Sequence, residues 1–359
     1  MKNNSFRASE SPKYDMIVFC HLRWDFVYQR PQHIISRLAK DYKILVVEEP
    51  LKRNQEKAVF SVKKLNSQIH ICQPSVDHID EIGPYLKKHL KQTDFALGWF
   101  YSAAFVPVLE TLDFESVVYD CMDELSLFKG ASSKLLEQEQ QLLAAADVVY
   151  TGGKSLYESK KQKHHNVFCF PSSVDIDHFS SRNNPKPSDL EGIPSPIIGY
   201  YGVIDERIDL DLLKETAAQS PDASFVMIGP LCKIEEQDLP RAENIYYLGM
   251  KSYDELPSYL QYFDVAMMPF ALNDSTKFIS PTKTLEYMAA EKPIISTRIK
   301  DVERDYSNCV MLMDDAEDFI NAIKNPKQNF RREYREILEK TSWDSTAENM
   351  RLMIKKAIA

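Results

Sequence analysis

This sequence predicts two α/β halves, each a Rossmann-like, doubly wound parallel sheet, facing each other across a cleft. Three observations predict it. Short apolar runs alternate with helix-period segments along the chain. A Pro-, Ser- and Asn-rich stretch without periodicity, residues 180–196, breaks the pattern near the middle. The alternation then restarts at Ile197. The length of 359 residues suits two domains. The expected boundaries are 1–179, a linker at 180–196, 197–341, and a final helix at 342–359 that packs back on the first half.

The elements follow in order. Met16 to Cys20 reads as a strand, Pro31 to Lys40 as a helix and Ile44 to Val47 as a strand. That is a βαβ unit, so the sheet should be parallel. Further strands are expected at 95–97, 117–119, 148–150 and 167–170, with a helix from Ser132 to Ala146. In the second half, strands are expected at 197–202, 224–228, 245–248, 265–268 and 294–296. Helices fall at 210–218 and 253–263. Trp343, Ala347, Met350, Ile354 and Ala357 recur at helical spacing, so the last helix needs a surface to bury them.

Composition excludes several function classes. Hydrophobic residues make up 44% and charged residues 27%, ordinary values for a globular protein. A net charge of −9 argues against nucleic acid as the main partner. The six cysteines show neither C-x-x-C nor zinc spacing, which fits scattered thiols in a reducing compartment. Residues 1–15 have no apolar core, and no run approaches the ~18 apolar residues of a membrane helix. A cytoplasmic protein is expected, with peripheral contact at the inner membrane face as the most it would make. The basic segments at 85–91 and 160–165 suit either an acidic membrane surface or a solvated helix face.

The segment from Asp264 to Thr297 carries the most chemistry. It reads strand, loop, helix, strand. Ser280 is a good N-cap and Pro281 suits the first helical position. The N–H groups of Thr282 and Lys283 would then point out of a helix start, which attracts phosphate. Lys283 adds a positive charge, and Glu286 lies on the same face, able to accept from a pair of sugar hydroxyls. A capped amphipathic helix with a surface ion pair fits the isolated pattern equally well.

Other segments give that pattern a context. Asp147-Val148-Val149-Tyr150-Thr151-Gly152-Gly153, Pro171-Ser172-Ser173-Val174-Asp175 with Phe179, Gly199-Tyr200-Tyr201-Gly202 with Arg207, and the stretch from Asn244 through Ile295 occur in that order. The chain resembles the GT-B glycosyltransferases of the retaining family 4 type (glycosyl transferases group 1) across about residues 145 to 300. Through His21-Leu22-Arg23-Trp24 and Arg30-Pro31-Gln32-His33 it resembles a subgroup of polysaccharide and teichuronic-acid glycosyltransferases. The resemblance implies a hexosyltransferase-type enzyme that needs no metal or separate cofactor. A UDP- or GDP-linked sugar is the implied donor, and a saccharide or lipid-linked saccharide the implied acceptor. It also implies roles. Glu286 would hold the ribose, Arg207 and Lys283 would neutralise the departing diphosphate, and Gly202 would form the phosphate turn. Met250, Lys251 and Tyr253 would face the base. One position departs from the family: where a sugar-binding glutamate often stands, this chain has Phe278, so the sugar is left open.

Asp120, Asp123 and Glu124 follow an expected strand end. They fit either an acceptor-activating base or helix-capping carboxylates. His21, Arg23, Trp24 and Arg30 would face the acceptor, Trp24 by stacking on a sugar or as loop packing, the arginines by pairing with an acidic group. Asp175-Ile176-Asp177 and Asp209-Leu210-Asp211 have D-x-D spacing but do not sit where this fold would use a metal. Gly152-Gly153-Lys154-Ser155 lacks the first glycine of a phosphate-binding loop, since Val148 stands there. No Gly-x-Gly-x-x-Gly follows the first strand, which argues against a nicotinamide dehydrogenase. Two other functions stay open at this stage: a nucleotide-sugar epimerase of similar fold, and a non-catalytic nucleotide-sugar-binding scaffold.

Overall fold

A computed structural model describes residues 13–50, 60–326 and 330–358, with side chains to 356. The N-terminal stretch read for a leader lies largely outside the described residues, and so does the Ala357 side chain. The chain divides into two compact units. The first comprises residues up to Ser126, Gly130–Phe170 and Asp344 onwards; the second comprises Leu127–Lys129 and Pro171–Trp343.

The first unit is built on eight strands: β1 (Met16–Cys20), β2 (Ile44–Glu48), β3 (Val62–Lys64), β4 (Ile69–Cys72), β5 (Asp94–Phe100), β6 (Asp113–Cys121), β7 (Val148–Thr151) and β8 (Val167–Cys169). Their order is β3-β4-β2-β1-β5-β6-β7-β8. Every neighbouring pair is parallel except β3–β4. Parallel strands are covered by helices on both faces and so read as unbroken apolar runs. β1 and β2 are buried throughout and fit that description. β3 and β4 do not, because Lys63, Lys64 and His70 interrupt them, so neither is legible as a strand in the sequence. His70 is buried against the Tyr14 hydroxyl at 2.8 Å.

In the second unit, six strands, β9 (Ile197–Tyr201), β10 (Ser224–Ile228), β11 (Ile245–Tyr247), β12 (Val265–Met268), β13 (Ile294–Thr297) and β14 (Met311–Met313), form an all-parallel sheet. The order is β11-β10-β9-β12-β13-β14. Numbered from the first, this is 3-2-1-4-5-6, the doubly wound order with its switch point between β9 and β12. Ligands of such sheets bind beyond the strand C-termini at that point. β14 was not expected from the sequence.

The unit boundary differs from the expected one. It falls at Phe170–Pro171, and residues 180–196 belong to the second unit. Leu190 and Ile193 are buried in that unit's core beside Val174 and Phe179. A stretch poor in apolar residues reads as a linker, yet two apolar side chains suffice to pin it. Asp189 fastens it further, accepting from Lys251 Nζ at 2.5 Å and Tyr259 Oη at 2.7 Å.

The last helix spans Trp343–Ile358, and Trp343, Ala347, Met350 and Ile354 are all buried. From Asp344 it groups with the first unit, where the Met350 carbonyl accepts from Tyr150 Oη at 2.8 Å. No helix among the described residues is long and apolar enough to cross a membrane.

Candidate active site

The second unit gathers its predicted residues at the β9–β12 switch point. β9 ends at Tyr201, and Gly202 follows with φ +138°. A Cβ at Gly202 would lie 2.9 Å from Tyr200 Oη, 3.1 Å from Lys283 Cε and 3.3 Å from Lys283 Nζ. Gly229, just past β10 with φ +147°, backs this turn, because a Cβ there would fall 1.8 Å from the Gly202 carbonyl oxygen. Both backbone geometry and space therefore require glycine. The Lys283 ammonium lies 5.4 Å from the Tyr200 ring centroid and 5.1 Å from that of Phe270. Two aromatic faces thus hold the cation beside the Gly202 backbone.

The helix carrying Lys283 starts later than expected. It spans Lys283–Ala289, so Ser280 is not the N-cap and Pro281 is not its first residue. Thr282 takes the cap position with helical angles and no side-chain cap bond. The reason is local. The Ser280 carbonyl accepts from Ser172 Oγ at 3.1 Å, and Thr282 Oγ1 donates to Ser172 Oγ at 3.0 Å. These residues are engaged with the 171–175 segment instead of capping. Thr284 and Leu285 donate to the Pro281 and Thr282 carbonyls, so a tight lead-in turn satisfies part of the helix start.

Glu286, one turn on, is 7% exposed. Its Oε2 accepts from the Tyr201 hydroxyl at 2.7 Å. Burial pushes its carboxyl up to about 7; the Tyr201 hydrogen bond and the Lys283 charge oppose the shift, and the Asp175 charge adds to it. A surface ion pair would not be buried or shifted in this way, so that reading of the segment is set aside.

Arg207 sits in the loop after β9. Asp205 holds it in a side-on pair, with Nε at 2.9 and 3.1 Å and Nη2 at 2.7 Å. The Phe128 ring stacks on the guanidinium at 5.3 Å. Its position is therefore fixed, and its charge is partly balanced by Asp205.

Two base-side expectations change. Lys251 is taken up by Asp189, as described above. Tyr253 stacks face to face on His178, centroids 4.2 Å apart and planes at 7°, with Phe179 at its edge. Phe278 is half-buried, with Lys277 Nζ 5.5 Å from its ring centroid. Asp209 caps the helix Leu210–Gln219 by accepting from Leu212 N–H at 2.9 Å, which accounts for one D-x-D aspartate.

In the first unit, Asp120 and Arg30 are brought together and closed off. Asp120 is 0% exposed at the end of β6, and Arg30 is 3% exposed. Arg30 Nε donates to Asp120 at 3.0 and 3.2 Å, and Nη1 donates to the Phe170 carbonyl at 2.6 Å. Asp120 as an acceptor-activating base and Arg30 as an acceptor ligand are both corrected by this burial; each is the other's partner.

Arg23 donates to Glu48 Oε2 at 3.2 Å and to the Glu49 carbonyl at 2.6 Å. Trp24 is half-buried, and its backbone N–H donates to Glu48 Oε1 at 2.6 Å. His21 and Asp123 are half-buried near the ends of β1 and β6. Lys160 leaves the expected basic surface altogether. It is fully buried, bonded to Glu124 at 2.7 Å and Glu139 at 2.5 Å. Lys87 and Lys88 of the other basic segment are exposed.

Tyr201, Asp205 and Phe270 also support the site, and no motif in the sequence singles them out for it. The available signal was Tyr201 standing at a strand end directly before the phosphate-turn glycine.

Comparisons with known proteins point to glycosyltransferases. Residues 195–328 match the family described as glycosyl transferases group 1. A protein of Bacillus subtilis (strain 168) named as a teichuronic acid biosynthesis glycosyltransferase, TuaH, is 24% identical over 275 residues, covering 68% of each chain. Among solved structures, sucrose-phosphate synthase from Thermosynechococcus elongatus superimposes with a TM-score of 0.70 at 13% identity, over 95% of this chain and 98% of that one. Anabaena HepE, in complex with UDP and glucose, gives 0.66 at 13% identity over 96% and 100%. Trehalose 6-phosphate synthase from Burkholderia multivorans gives 0.66 at 12% identity over 95% and 98%. These structures share the fold, and the sequence match lies on the unit that holds Gly202, Arg207, Lys283 and Glu286. The chain is a glycosyltransferase of the GT-B fold whose residues 195–328 form a glycosyl transferases group 1 domain.

Proposed function

We propose that this enzyme moves a sugar, with retention, from a UDP- or GDP-linked donor to a saccharide or lipid-linked saccharide acceptor in cell-surface polysaccharide biosynthesis. One observation carries the donor half of the reading. Lys283 and Glu286 occupy one helical turn at the switch point, with the ammonium beside the Gly202 turn and the carboxylate buried on Tyr201. A diphosphate at the turn and a ribose at Glu286 would match that spacing of charge. Breaking the bond from the anomeric carbon to the diphosphate builds negative charge on the leaving phosphate. Lys283 and Arg207, both fixed by neighbours, would stabilise that charge without a metal. The B. subtilis relative supports the polysaccharide acceptor, and the family 4 resemblance supports retention. Exposed Lys87 and Lys88 suit peripheral contact with an acidic inner membrane face, where a lipid-linked acceptor would lie.

The test is a panel of nucleotide sugars offered with and without lipid-linked saccharide. Release of nucleoside diphosphate that depends on the acceptor is expected, and it separates transfer from epimerisation and from mere binding. Glu286→Ala and Lys283→Ala should each weaken donor binding at least tenfold, the scale of one charge-assisted contact. Unchanged donor binding in both variants would overturn the assignment.

A further inference from the structure

We propose that Tyr201 is a positioning residue for donor binding: its hydroxyl pins one oxygen of the Glu286 carboxylate and presents the other to the donor's sugar hydroxyls. The inference rests on the reading of Glu286 as the ribose ligand given above.

The geometry is specific. Tyr201 is the last residue of β9, so the strand that supplies the Gly202 turn to Lys283 also supplies a hydroxyl to Glu286. The Tyr201 ring is 3% exposed. Phe179 lies parallel to it at 6.4 Å, and the Tyr287 ring meets it edge-on at 5.1 Å. Its backbone N–H donates to the Tyr287 hydroxyl at 3.3 Å. Ring and backbone are both held, so the direction of the O–H is set before any ligand arrives. Tyr201 gives the one hydrogen bond that the Glu286 side chain receives among the described residues. An ionised carboxylate has about four acceptor positions. One is filled, and the rest of the group is left oriented for an incoming pair of hydroxyls.

The surroundings make this bond matter for ionisation too. The groups facing Glu286 are Tyr201 and Tyr287, Lys283 on its own helix, and Asp175 ahead of the short helix Ile176–Phe179. Burial and the Asp175 charge favour the neutral acid. Tyr201 and Lys283 favour the carboxylate. With the midpoint at about 7, removing the hydroxyl leaves Glu286 protonated at neutral pH, and a protonated acid is a poorer acceptor for two hydroxyls.

The test uses the full-length chain. Affinity for UDP-glucose, UDP-N-acetylglucosamine and GDP-mannose is measured by calorimetry from pH 5.5 to 9 for wild type, Tyr201→Phe, Glu286→Gln and Glu286→Ala. Wild-type affinity should rise with pH to a plateau. In Tyr201→Phe the midpoint should move up by about one to two pH units, with affinity recovering on the alkaline side. Glu286→Gln, which keeps a partner for Tyr201, should lose the pH dependence. An unmoved midpoint in Tyr201→Phe, or a uniform loss at every pH with a lowered melting temperature, would overturn the positioning role. If none of the sugars binds, or Glu286→Ala binds as wild type does, the ribose reading fails and takes this inference with it. Weak binding by Glu286→Ala beside an unmoved Tyr201→Phe midpoint removes the Tyr201 role alone.

Discussion

Gly202→Ala tests the phosphate turn more directly than removing any charge. The added Cβ would sit 2.9 Å from Tyr200 Oη and 3.1 Å from Lys283 Cε. Tyr200 has little freedom to give way, because it is 1% exposed and its hydroxyl donates to the Val203 carbonyl at 2.9 Å. The Lys283 stem is the flexible partner, so the ammonium should leave its place over Tyr200 and Phe270. Two costs follow. A non-glycine residue at φ +138° carries strain of about 1–3 kcal/mol, which should lower thermal stability. Losing one charge-assisted contact to the diphosphate costs about 1.5–3 kcal/mol, or roughly 10- to 100-fold in donor affinity. Calorimetric titration with a nucleotide sugar, run on Gly202→Ala, Lys283→Ala and the double variant, separates the two. If the glycine acts through the lysine, the double variant binds no worse than Lys283→Ala. Wild-type affinity in Gly202→Ala, or fully additive losses in the double variant, would refute the reasoning.

Two further predictions concern stability. Glu286 holds its proton up to about pH 7 in the folded chain, against 4.5 ordinarily. The folded state therefore binds the extra proton between those values. Stability from this group is complete below pH 4.5, falls as pH rises to 7, and then levels, a loss on the order of 3 kcal/mol. Urea midpoints of wild type and Glu286→Gln should diverge across that window in favour of the glutamine variant, and parallel curves would contradict this. In the first unit, Arg30→Ala strands the Asp120 carboxylate at 0% exposure and should cost about 3–5 kcal/mol in urea unfolding. Arg30→Lys should rescue little, because a lysine cannot reproduce the side-on pair and the bond to the Phe170 carbonyl together. A loss below about 1 kcal/mol for Arg30→Ala would mean that water reaches Asp120.

The strands legible in the sequence, β1, β2 and β5 to β13, each carry an apolar run. β3, β4 and β14 were not legible, being short or interrupted by Lys63, Lys64 and His70, and only pairing with neighbours makes them strands. The helix before Lys283 shows the limit of capping rules. Ser280 and Pro281 suit a start by propensity, yet contacts with Ser172, 108 residues earlier in the chain, move the start to Lys283. Lys251 was readable as a cation and not as a partner of Asp189, because that pairing depends on residues 180–196 folding back onto their own unit.

What the sequence determined by itself is the class of chemistry. The repeating βα pattern, and the spacing of Lys283 and Glu286 before a buried strand, are local properties, and local periodicity survives in a one-dimensional reading. What only the tertiary structure decided is how each charge is buried and by what it is surrounded. Asp120 and Arg30 look alike in sequence to Glu286 and Lys283, each a carboxylate and a cation. Folding closes the first pair on each other in a buried contact. It sets the second carboxylate on Tyr201 and the second cation over two aromatic faces. The difference is one of burial and partner, which strands adjacent in space supply and positions adjacent in sequence do not.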